Sequence, residues 1–315
     1  MSENAMHVMV WADIPVLMAD LKSQFIVHNR AEIKDLAAWG AAEGGKIEAV
    51  ITNGMLGTEV EVLEHLPNLK VVCSMGVGYD AIDTAYLSDR GIPVSNTPDV
   101  LNDAVAEAAM ALMLCLTRRI SQAERFIRQG AWSSQKFPAG HQLTGKTCGM
   151  VGLGKIGKTI AKRAEAFGMN VAYYRRGEPY ANIDYTHYDS IVELATAADY
   201  LIVIVPGGPH TQHLINADVL ASLGRNGYLI NVSRGTVVDE KALVASLQSG
   251  EIAGAALDVF ENEPHVPLEL TAMENVVLTP HLGSSTHETR QAMADLVLAN
   301  LRQFLTDGTL ITPIN

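Results

Sequence analysis

Arg234, Glu263 and His281 are residue types that suit one reaction, the reduction of a carbonyl group. A histidine can give a proton near neutral pH to the alkoxide that forms when hydride reaches a carbonyl carbon. A carboxylate on the other ring nitrogen would orient the ring and favour its protonated form. An arginine can bind a substrate carboxylate and polarise the carbonyl. Taken singly, each has an ordinary alternative as a loop histidine, a surface acid or a helix-capping arginine.

The placement of these residues links them to one sheet. Each follows a short apolar run typical of a β-strand, the runs being 228–232, 255–259 and 276–278. In open parallel sheets, ligands bind beyond the carboxyl ends of the strands. We therefore predict that Arg234, Glu263 and His281 are catalytic and face one crevice, and that no metal takes part.

A glycine motif precedes them in the chain. Residues 152–157, Gly-Leu-Gly-Lys-Ile-Gly, fit G-x-G-x-x-G, follow the predicted strand 147–151 and open a helical pattern at 156–167. This strand–turn–helix context is the one in which the motif binds a dinucleotide pyrophosphate at a helix N-terminus. The predicted cofactor contacts in the motif are Gly152, Leu153, Gly154, Lys155 and Ile156.

The type of cofactor is indicated by the end of the next strand. An acid about 20 residues beyond the glycines would bind a ribose 2'-hydroxyl. Here Arg175 and Arg176 occupy that place, and the first acid is Glu178. Guanidinium groups bind phosphates through charge-assisted bonds. We therefore predict NADPH in preference to NADH; the alternative is a solvated basic turn.

Short apolar runs alternate with helical patterns along most of the chain, which predicts parallel βαβ units. The predicted strands are 7–11, 49–52, 69–74 and 93–95, and then 147–151, 170–174, 200–205, 228–232, 255–259 and 276–278. The early predicted helices are 33–39, 59–66 and 82–89. The fold class is thus α/β, with two doubly wound parallel-sheet domains.

Two further helices are predicted outside these units. The segment 102–117 is apolar on nearly all faces, so it must be buried. It is either a core helix of one domain or a helix that joins two domains and packs against a second subunit. A last helix is expected at roughly 285–305.

Composition excludes several classes of protein. The 315-residue chain carries a formal net charge of -12, which argues against binding to nucleic acid or to an anionic membrane. Its three cysteines, Cys73, Cys115 and Cys148, lie in apolar runs without metal-ligand spacing, as expected of reduced core thiols in a cytoplasmic protein. The N-terminal stretch 1–12 has no signal-peptide pattern.

Four long motifs resemble the D-isomer-specific 2-hydroxyacid dehydrogenase family. They are VGLGKIG at 151–157, NVSRGTVVDEKAL at 231–243, AALDVFENEP at 255–264 and TPHLGSST at 279–286. The family's Arg, Glu and His fall on Arg234, Glu263 and His281. Formate dehydrogenases of the family have Gln in place of Glu263, which argues against that activity.

The resemblance implies further features of fold and site. A Rossmann cofactor domain, 101–284, would be inserted into a discontinuous flavodoxin-like substrate domain, 1–100 plus 285–315, and the helix after 97–101 would hold a homodimer. The substrate carboxylate would bind the turn 76–80, through Val77 and Gly78 together with Arg234 and His281. The remaining expected cofactor contacts are Val205, Pro206, Thr211, Val232, Ser233, Arg234, Asp258, His281 and Gly283.

Within the family, the arginines after the second cofactor strand resemble NADPH-dependent glyoxylate/hydroxypyruvate reductases, and the motif NTPDVLNDAVAE at 96–107 resembles hydroxyphenylpyruvate reductases. The expected reaction is reduction of small 2-oxo acids to 2-hydroxy acids. Alternatives are reduction of aryl pyruvates, NAD-dependent oxidation of a D-hydroxy acid, and a nucleotide-sensing binding module. The expected pocket is bounded by Met55, Leu56 and Met75, with Trp132 from a second subunit.

Overall fold

Twelve strands form two parallel sheets in the part of the chain that the computed structural model describes, residues 5–12 and 14–315. The strands are β1 His7–Val10, β2 Ile26–Asn29, β3 Ile47–Asn53, β4 Val71–Met75, β5 Val94–Ser95, β6 Thr147–Val151, β7 Asn170–Tyr174, β8 Thr186–His187, β9 Tyr200–Val203, β10 Tyr228–Asn231, β11 Gly254–Leu257 and β12 Val276–Leu278. Residues 1–4 of the N-terminal stretch considered above lie outside the described residues.

Helices alternate with these strands. They are α1 Pro15–Gln24, α2 Leu36–Glu43, α3 Val60–Leu63, α4 Thr84–Asp89, α5 Asn102–Thr117, α6 Ile120–Arg128, α7 Lys155–Ala166, α8 Ile191–Ala197, α9 Ala217–Leu223, α10 Glu240–Ser249, α11 Leu268–Ala272 and α12 His287–Asp307. Contacts divide the chain into two units, one ending at Leu101 and resuming with Thr286–Asn315, and the other formed by Asn102–Ser285. Among the described residues, no helix has both the length and the apolarity needed to cross a lipid bilayer.

The first unit holds the five-stranded sheet, in the order β2-β1-β3-β4-β5. This is the strand order of flavodoxin-like folds. Successive residues of a strand point to opposite faces, and here both faces are covered. Val8 and Val10 pack in a cluster with α1 and α12, whereas Met9 packs in a second cluster with α3 and α4.

The second unit holds the seven-stranded sheet, in the order β12-β11-β10-β9-β6-β7-β8. Read from β8, six strands follow the Rossmann order 3-2-1-4-5-6, and β12 adds a seventh. One cluster unites the sheet with α8, α9 and α10, while α7 contacts β6 and β7, and α5 contacts β10, β11 and β12. The expected fold class, two doubly wound parallel sheets, is confirmed.

Several elements differ from the sequence-based expectation. Strands β2 and β8 and helix α1 were not predicted, because β2 is a partly exposed edge strand and β8 has two residues, too few to show a period. Helix α2 begins at Leu36 rather than at 33, since the Asp35 side chain caps it by accepting from the Ala38 N–H. Helix α5 has the predicted bounds and is buried along most of its length, within the second unit.

The expectation of three core thiols is wrong for one of them. Cys73 and Cys148 are fully buried, and burial raises the pKa of each thiol to about 12. Cys115 is only partly buried. It lies on α5, which is so apolar that the sequence predicts burial on all sides. In the structure, one side of this helix is not covered within the second unit.

Candidate active site

The carboxyl ends of β10, β11 and β12 lie side by side, because the three strands pair in parallel. Arg234 follows β10, Glu263 follows β11 and His281 follows β12. Neighbouring parallel strands end at one edge of the sheet, so their following loops meet there. The second unit therefore brings together side chains that are 47 positions apart in the chain, from 234 to 281.

His281 and Glu263 form the central pair of this edge. Nδ1 of His281 lies 2.8 Å from Oε2 of Glu263, and both side chains are largely buried. The other carboxylate oxygen, Oε1, accepts a hydrogen bond of 3.0 Å from the Phe260 N–H. The carboxylate is thus held at both oxygens, and it contacts the ring of His281 through Nδ1.

The charge state of Glu263 follows from its partners. Burial favours the neutral acid, but the hydrogen bond and charge of His281, the Phe260 N–H and the charge of Arg234 act the other way. Together these partners outweigh burial and lower the pKa of Glu263 below its ordinary value. The group is therefore a carboxylate at neutral pH.

Arg234 is placed by the close packing of its own turn. Its Nη1 donates to the Ser233 carbonyl at 2.9 Å, and its carbonyl accepts from Asn231 Nδ2 at 3.0 Å. A Cβ at the next residue, Gly235, would lie 1.8 Å from the carbonyl carbon of Phe260. Only glycine allows this approach, which brings the turn of Arg234 against the turn of Glu263.

Asp258 organises the loop that carries His281. Its side chain is 2 % exposed, and its carboxylate accepts from the Thr279 hydroxyl at 2.6 Å and from the N–H groups of Leu282 and Gly283, each at 2.8 Å. The His281 N–H donates to the Asp258 carbonyl, and His281 adopts a positive φ of 52°. The sequence analysis predicted Asp258 as a cofactor contact and did not predict this structural role. The signal for it is an acid directly after an apolar strand, where an acidic side chain becomes buried.

Glu240 and Glu261 form a reciprocal pair of hydrogen bonds, called the bracket below, that fixes the turn of Glu263. The sequence analysis did not predict this pair. The Glu261 N–H donates to Glu240 Oε1 at 2.9 Å, and the Glu240 N–H donates to Glu261 Oε1 at 3.1 Å. His213 contacts Glu261 through Nε2 at 2.8 Å. Ligand atoms of His213, Asp239 and Glu261 lie within 4.8 Å of one another, which is close enough to hold a cation.

The glycine turn fits a dinucleotide pyrophosphate. Gly152 has φ of 98°, and a Cβ there would lie 2.5 Å from the Ile204 carbonyl oxygen, so glycine is required. A Cβ at Gly154 would meet open space, which leaves room for a ligand at the N-terminus of α7. Leu153 is 1 % exposed, so it could contact a cofactor only through its backbone.

The two arginines after β7 stand next to this turn, since the Gly152 N–H donates to the Tyr174 carbonyl at 3.0 Å. The guanidinium of Arg175 lies 4.0 Å from the ring centre of Tyr180. Arg176 donates from Nη2 to the His210 carbonyl at 3.2 Å. Each arginine therefore makes one local contact, and Arg176 is exposed.

The remaining expected cofactor contacts lie in the loops after β9 and β10 and at 283. Thr211 donates from its hydroxyl to the Pro206 carbonyl at 2.8 Å, which closes the loop that begins near Val205. Val232 and Ser233 are buried, and the Ser233 hydroxyl bonds Asn231 Oδ1 at 2.7 Å. Any contact that these two make with a cofactor must therefore come mainly from their backbone.

In the first unit, the turn after β4 has free donors. The Gly76 N–H bonds the Thr97 hydroxyl at 2.8 Å, and the Val77 carbonyl accepts from Asn96 Nδ2 at 2.8 Å. The N–H groups of Val77 and Gly78 donate to no group in the described part of the chain. Successive free N–H groups form a nest suited to a carboxylate.

Comparisons with known proteins agree with this geometry. Residues 110–283 match the family model "D-isomer specific 2-hydroxyacid dehydrogenase, NAD binding domain". The chain is 45 % identical over 274 residues to the hydroxyphenylpyruvate reductase of Plectranthus scutellarioides, covering 87 % of each protein. It is 46 % identical over 269 residues to the glyoxylate/hydroxypyruvate reductase A HPR2 of Arabidopsis thaliana, covering 85 % of each.

A solved structure is similar over nearly the whole chain. It is the NADPH-dependent glyoxylate/hydroxypyruvate reductase SmGhrB of Sinorhizobium meliloti, in complex with NADP and malonate. The TM-score is 0.93 at 43 % identity, with 99 % of this chain and 97 % of that chain covered. The motifs, both sheets and the paired His281 and Glu263 are accordingly those of an oxidoreductase, and the chain belongs to the D-isomer specific 2-hydroxyacid dehydrogenase family.

Proposed function

We propose that the protein reduces small 2-oxo acids, glyoxylate or hydroxypyruvate, to 2-hydroxy acids with NADPH, and that His281 donates the proton. The observation that carries the proposal is the 2.8 Å contact between His281 Nδ1 and a Glu263 carboxylate with a lowered pKa, at the carboxyl edge of the cofactor sheet. A bound nicotinamide would supply the hydride.

His281 acts on the substrate oxygen. Because Nδ1 is engaged by Glu263, the proton leaves from Nε2. Glu263 keeps the ring oriented through its contact with Nδ1, and its carboxylate would compensate a positive charge on the ring. Positioned general acids of this kind contribute about 10²- to 10⁴-fold to a rate.

Arg234, Val77 and Gly78 bind the substrate. Arg234 pairs with the substrate carboxylate and polarises the carbonyl oxygen, which gathers charge as hydride arrives. The free N–H groups of Val77 and Gly78 support a role in binding a substrate carboxylate. We propose residues 1–100 with 285–315 as the substrate domain and 101–284 as the cofactor domain.

The cofactor is proposed to lie along the carboxyl edge of the second sheet. The N-terminus of α7 and residues 152–156 would hold the pyrophosphate. Arg175 and Arg176 would hold the 2'-phosphate, as the NADP complex of the relative SmGhrB supports. The other proposed contacts are Val205, Pro206, Thr211, Val232, Ser233, Arg234, Asp258, His281 and Gly283.

A second candidate substrate class is an aryl pyruvate such as 4-hydroxyphenylpyruvate. Met55 and Leu56, in the loop after β3, are 54 % and 53 % exposed, and Tyr79 of the neighbouring turn is 43 % exposed. Apolar side chains at this edge of the first sheet suit an aromatic substrate group. An NAD-dependent dehydrogenase is disfavoured by Arg175 and Arg176.

We further propose a cytoplasmic homodimer, held by α5 as expected from the resemblance and by an apolar surface of α6. Ile120 and Ile127 of α6 are about half exposed and stand seven residues apart on one helical face, followed by Trp132, which is 71 % exposed. A second copy of the chain would cover this apolar surface and, as expected from the sequence, bring Trp132 towards its partner's substrate.

The test is steady-state oxidation of NADPH and of NADH with glyoxylate, hydroxypyruvate and 4-hydroxyphenylpyruvate. We expect fast NADPH oxidation with glyoxylate or hydroxypyruvate. Turnover only with 4-hydroxyphenylpyruvate would select the second substrate class, and turnover only with NADH would overturn the role of the arginines. Cofactor binding without turnover of any 2-oxo acid would favour a nucleotide-sensing module.

A further inference from the structure

The ring of Tyr180 is in contact with two cationic side chains, Arg175 after β7 and Lys158 of α7. The guanidinium of Arg175 lies 4.0 Å from the ring centre, and Nζ of Lys158 lies 4.4 Å from it. Cations are attracted to aromatic faces at such distances. Lys158 belongs to α7, and its side chain therefore lies close to that of Arg175, which follows β7.

The fold explains why these side chains meet. Lys158 lies in the first turn of α7, where its N–H donates to the Gly154 carbonyl at 2.9 Å. Tyr180 is fixed by the buried Tyr173 of β7, whose hydroxyl accepts from the Tyr180 N–H at 2.9 Å. The cations thus stand between the glycine turn and the end of β7.

These cations are unusual because acids do not neutralise them. In the part of the chain that the structure describes, neither Lys158 nor Arg175 pairs with a carboxylate. The whole chain has a net charge of -12, so a local excess of positive charge with Arg176 beside it calls for an anionic ligand. The ligand chemistry that fits is a phosphate monoester, which carries up to two negative charges.

We infer that Lys158 is a third cation of the 2'-phosphate site, and that Tyr180 is the positioning residue that holds Lys158 and Arg175 ready for it. This inference rests on the proposed use of NADPH and deepens it. Lys158 would act as a point charge, while the arginines supply directed hydrogen bonds. Preorganisation on the Tyr180 ring would reduce the cost of ordering two long side chains when the ligand binds.

The first experiment compares Lys158→Gln with Lys162→Gln. Lys162 is an exposed lysine one turn further along α7, so both variants lose the same charge from the same helix. Calorimetry would measure binding of adenosine 2',5'-bisphosphate and of 5'-AMP to each protein. We expect Lys158→Gln to weaken binding of the bisphosphate by about tenfold and to leave 5'-AMP unchanged, while Lys162→Gln changes neither. KM for NADPH should rise with KM for NADH unaltered.

The second experiment tests the positioning role of Tyr180. Tyr180→Phe keeps the aromatic face and should bind the bisphosphate like the wild type. Tyr180→Leu removes that face and should weaken bisphosphate binding several-fold, again without an effect on 5'-AMP. Equal losses in the two variants would overturn the aromatic role, provided that both keep the wild-type melting temperature.

The outcomes separate this inference from the proposed function. If the wild type prefers the bisphosphate and Lys158→Gln keeps the full preference, Lys158 is not part of the site, and the proposed NADPH dependence stands. Equal losses in Lys158→Gln and Lys162→Gln would mean a general charge effect and would also overturn the inference. If the wild type binds both nucleotides equally, the NADPH preference and the inference fail together.

Discussion

At the scale of single residues, the proposed chemistry depends on one imidazole and one carboxylate. His281 has a positive φ, and its ring is held by Glu263 while its backbone is held by Asp258. Glu263 is in turn held by a backbone N–H and by its charged neighbours. Removing either partner should therefore have distinct and measurable effects.

Replacing His281 by alanine should remove the proton donor. We expect kcat for 2-oxo acid reduction to fall by about 10²- to 10⁴-fold, with binding of the cofactor retained. Steady-state kinetics and cofactor titration provide the measurement. His287→Ala, at the first position of α12, serves as the control. A kcat near that of the wild type would remove His281 from the mechanism.

Replacing Glu263 by glutamine should change how the stability of the protein depends on pH. The pKa of Glu263 is lowered in the folded protein, so its carboxylate contributes stability above the ordinary carboxyl range, and this stability is lost as the pH falls through the lowered pKa. We therefore expect a smaller fall in Tm on the acid side in Glu263→Gln, which has no carboxylate to protonate. Calorimetric melting at a series of acid pH values provides the measurement, and Glu269→Gln, an exposed acid of α11, should keep the wild-type profile. The same acid-side fall in Glu263→Gln and in the wild type would contradict the proposed coupling.

At the scale of elements, loops from neighbouring strands are tied to one another rather than left to position the site independently. The turn after β11 is bracketed to the start of α10 by the reciprocal hydrogen bonds of Glu240 and Glu261. Asp258, at the end of β11, ties down the loop after β12. These hydrogen bonds connect the loops that follow β11 and β12 to neighbouring elements at the proposed active site.

Glu240→Ala should weaken the bracket and leave the Glu261 N–H without its partner. We expect a loss of about 1 kcal/mol, which is a fall in Tm of roughly 2–4 °C for a unit of this size, together with a several-fold lower kcat. Glu240→Gln retains an acceptor oxygen and should keep most of both properties. Calorimetric melting and kinetics would be compared in the two variants, and an equal loss in both would point to charge rather than to the hydrogen bond.

At the scale of the whole molecule, packing around the two sheets determines which side chains are accessible to solvent. Cys73 and Cys148 are central residues of their units, whereas Cys115 lies on a partly open side of α5. The same contrast applies to apolar residues, since most are buried but those of α6 and Trp132 are not.

Thiol titration of the native protein should therefore modify Cys115 first. Burial raises the pKa of Cys73 and Cys148 to about 12, so neither forms a thiolate near neutral pH. We expect these two to react only after denaturation. Cys115→Ser should abolish the native reaction, and persistent labelling in that variant would show that one of the cores opens.

The exposed face of α6 should set the oligomeric state. Ile127→Glu places a charge in the apolar surface, and we expect it to shift the molecular mass from dimer to monomer in light scattering. Val192→Glu, on an exposed position of α8, is the control and should leave the mass unchanged. A wild-type protein that is monomeric at micromolar concentration would contradict the proposed dimer.

The sequence alone was sufficient for the features that depend on local pattern. The glycine motif stood between a strand and a helix, helix α5 had its predicted bounds, and the strands that precede Arg234, Glu263 and His281 were recognisable. Apolar runs predict buried parallel strands because both faces of such a sheet are covered. The short edge strands β2 and β8 were missed, since a few half-exposed residues show no period.

Only the tertiary structure decided which distant side chains touch. The contact of Glu263 with His281, the bonds of Asp258 to the loop after β12, and the contact of Lys158 with Tyr180 join residues 18 to 25 positions apart. Spacing along the chain does not encode such contacts. They follow from the parallel register of neighbouring strands, which brings the loops at their carboxyl ends to one edge of the sheet.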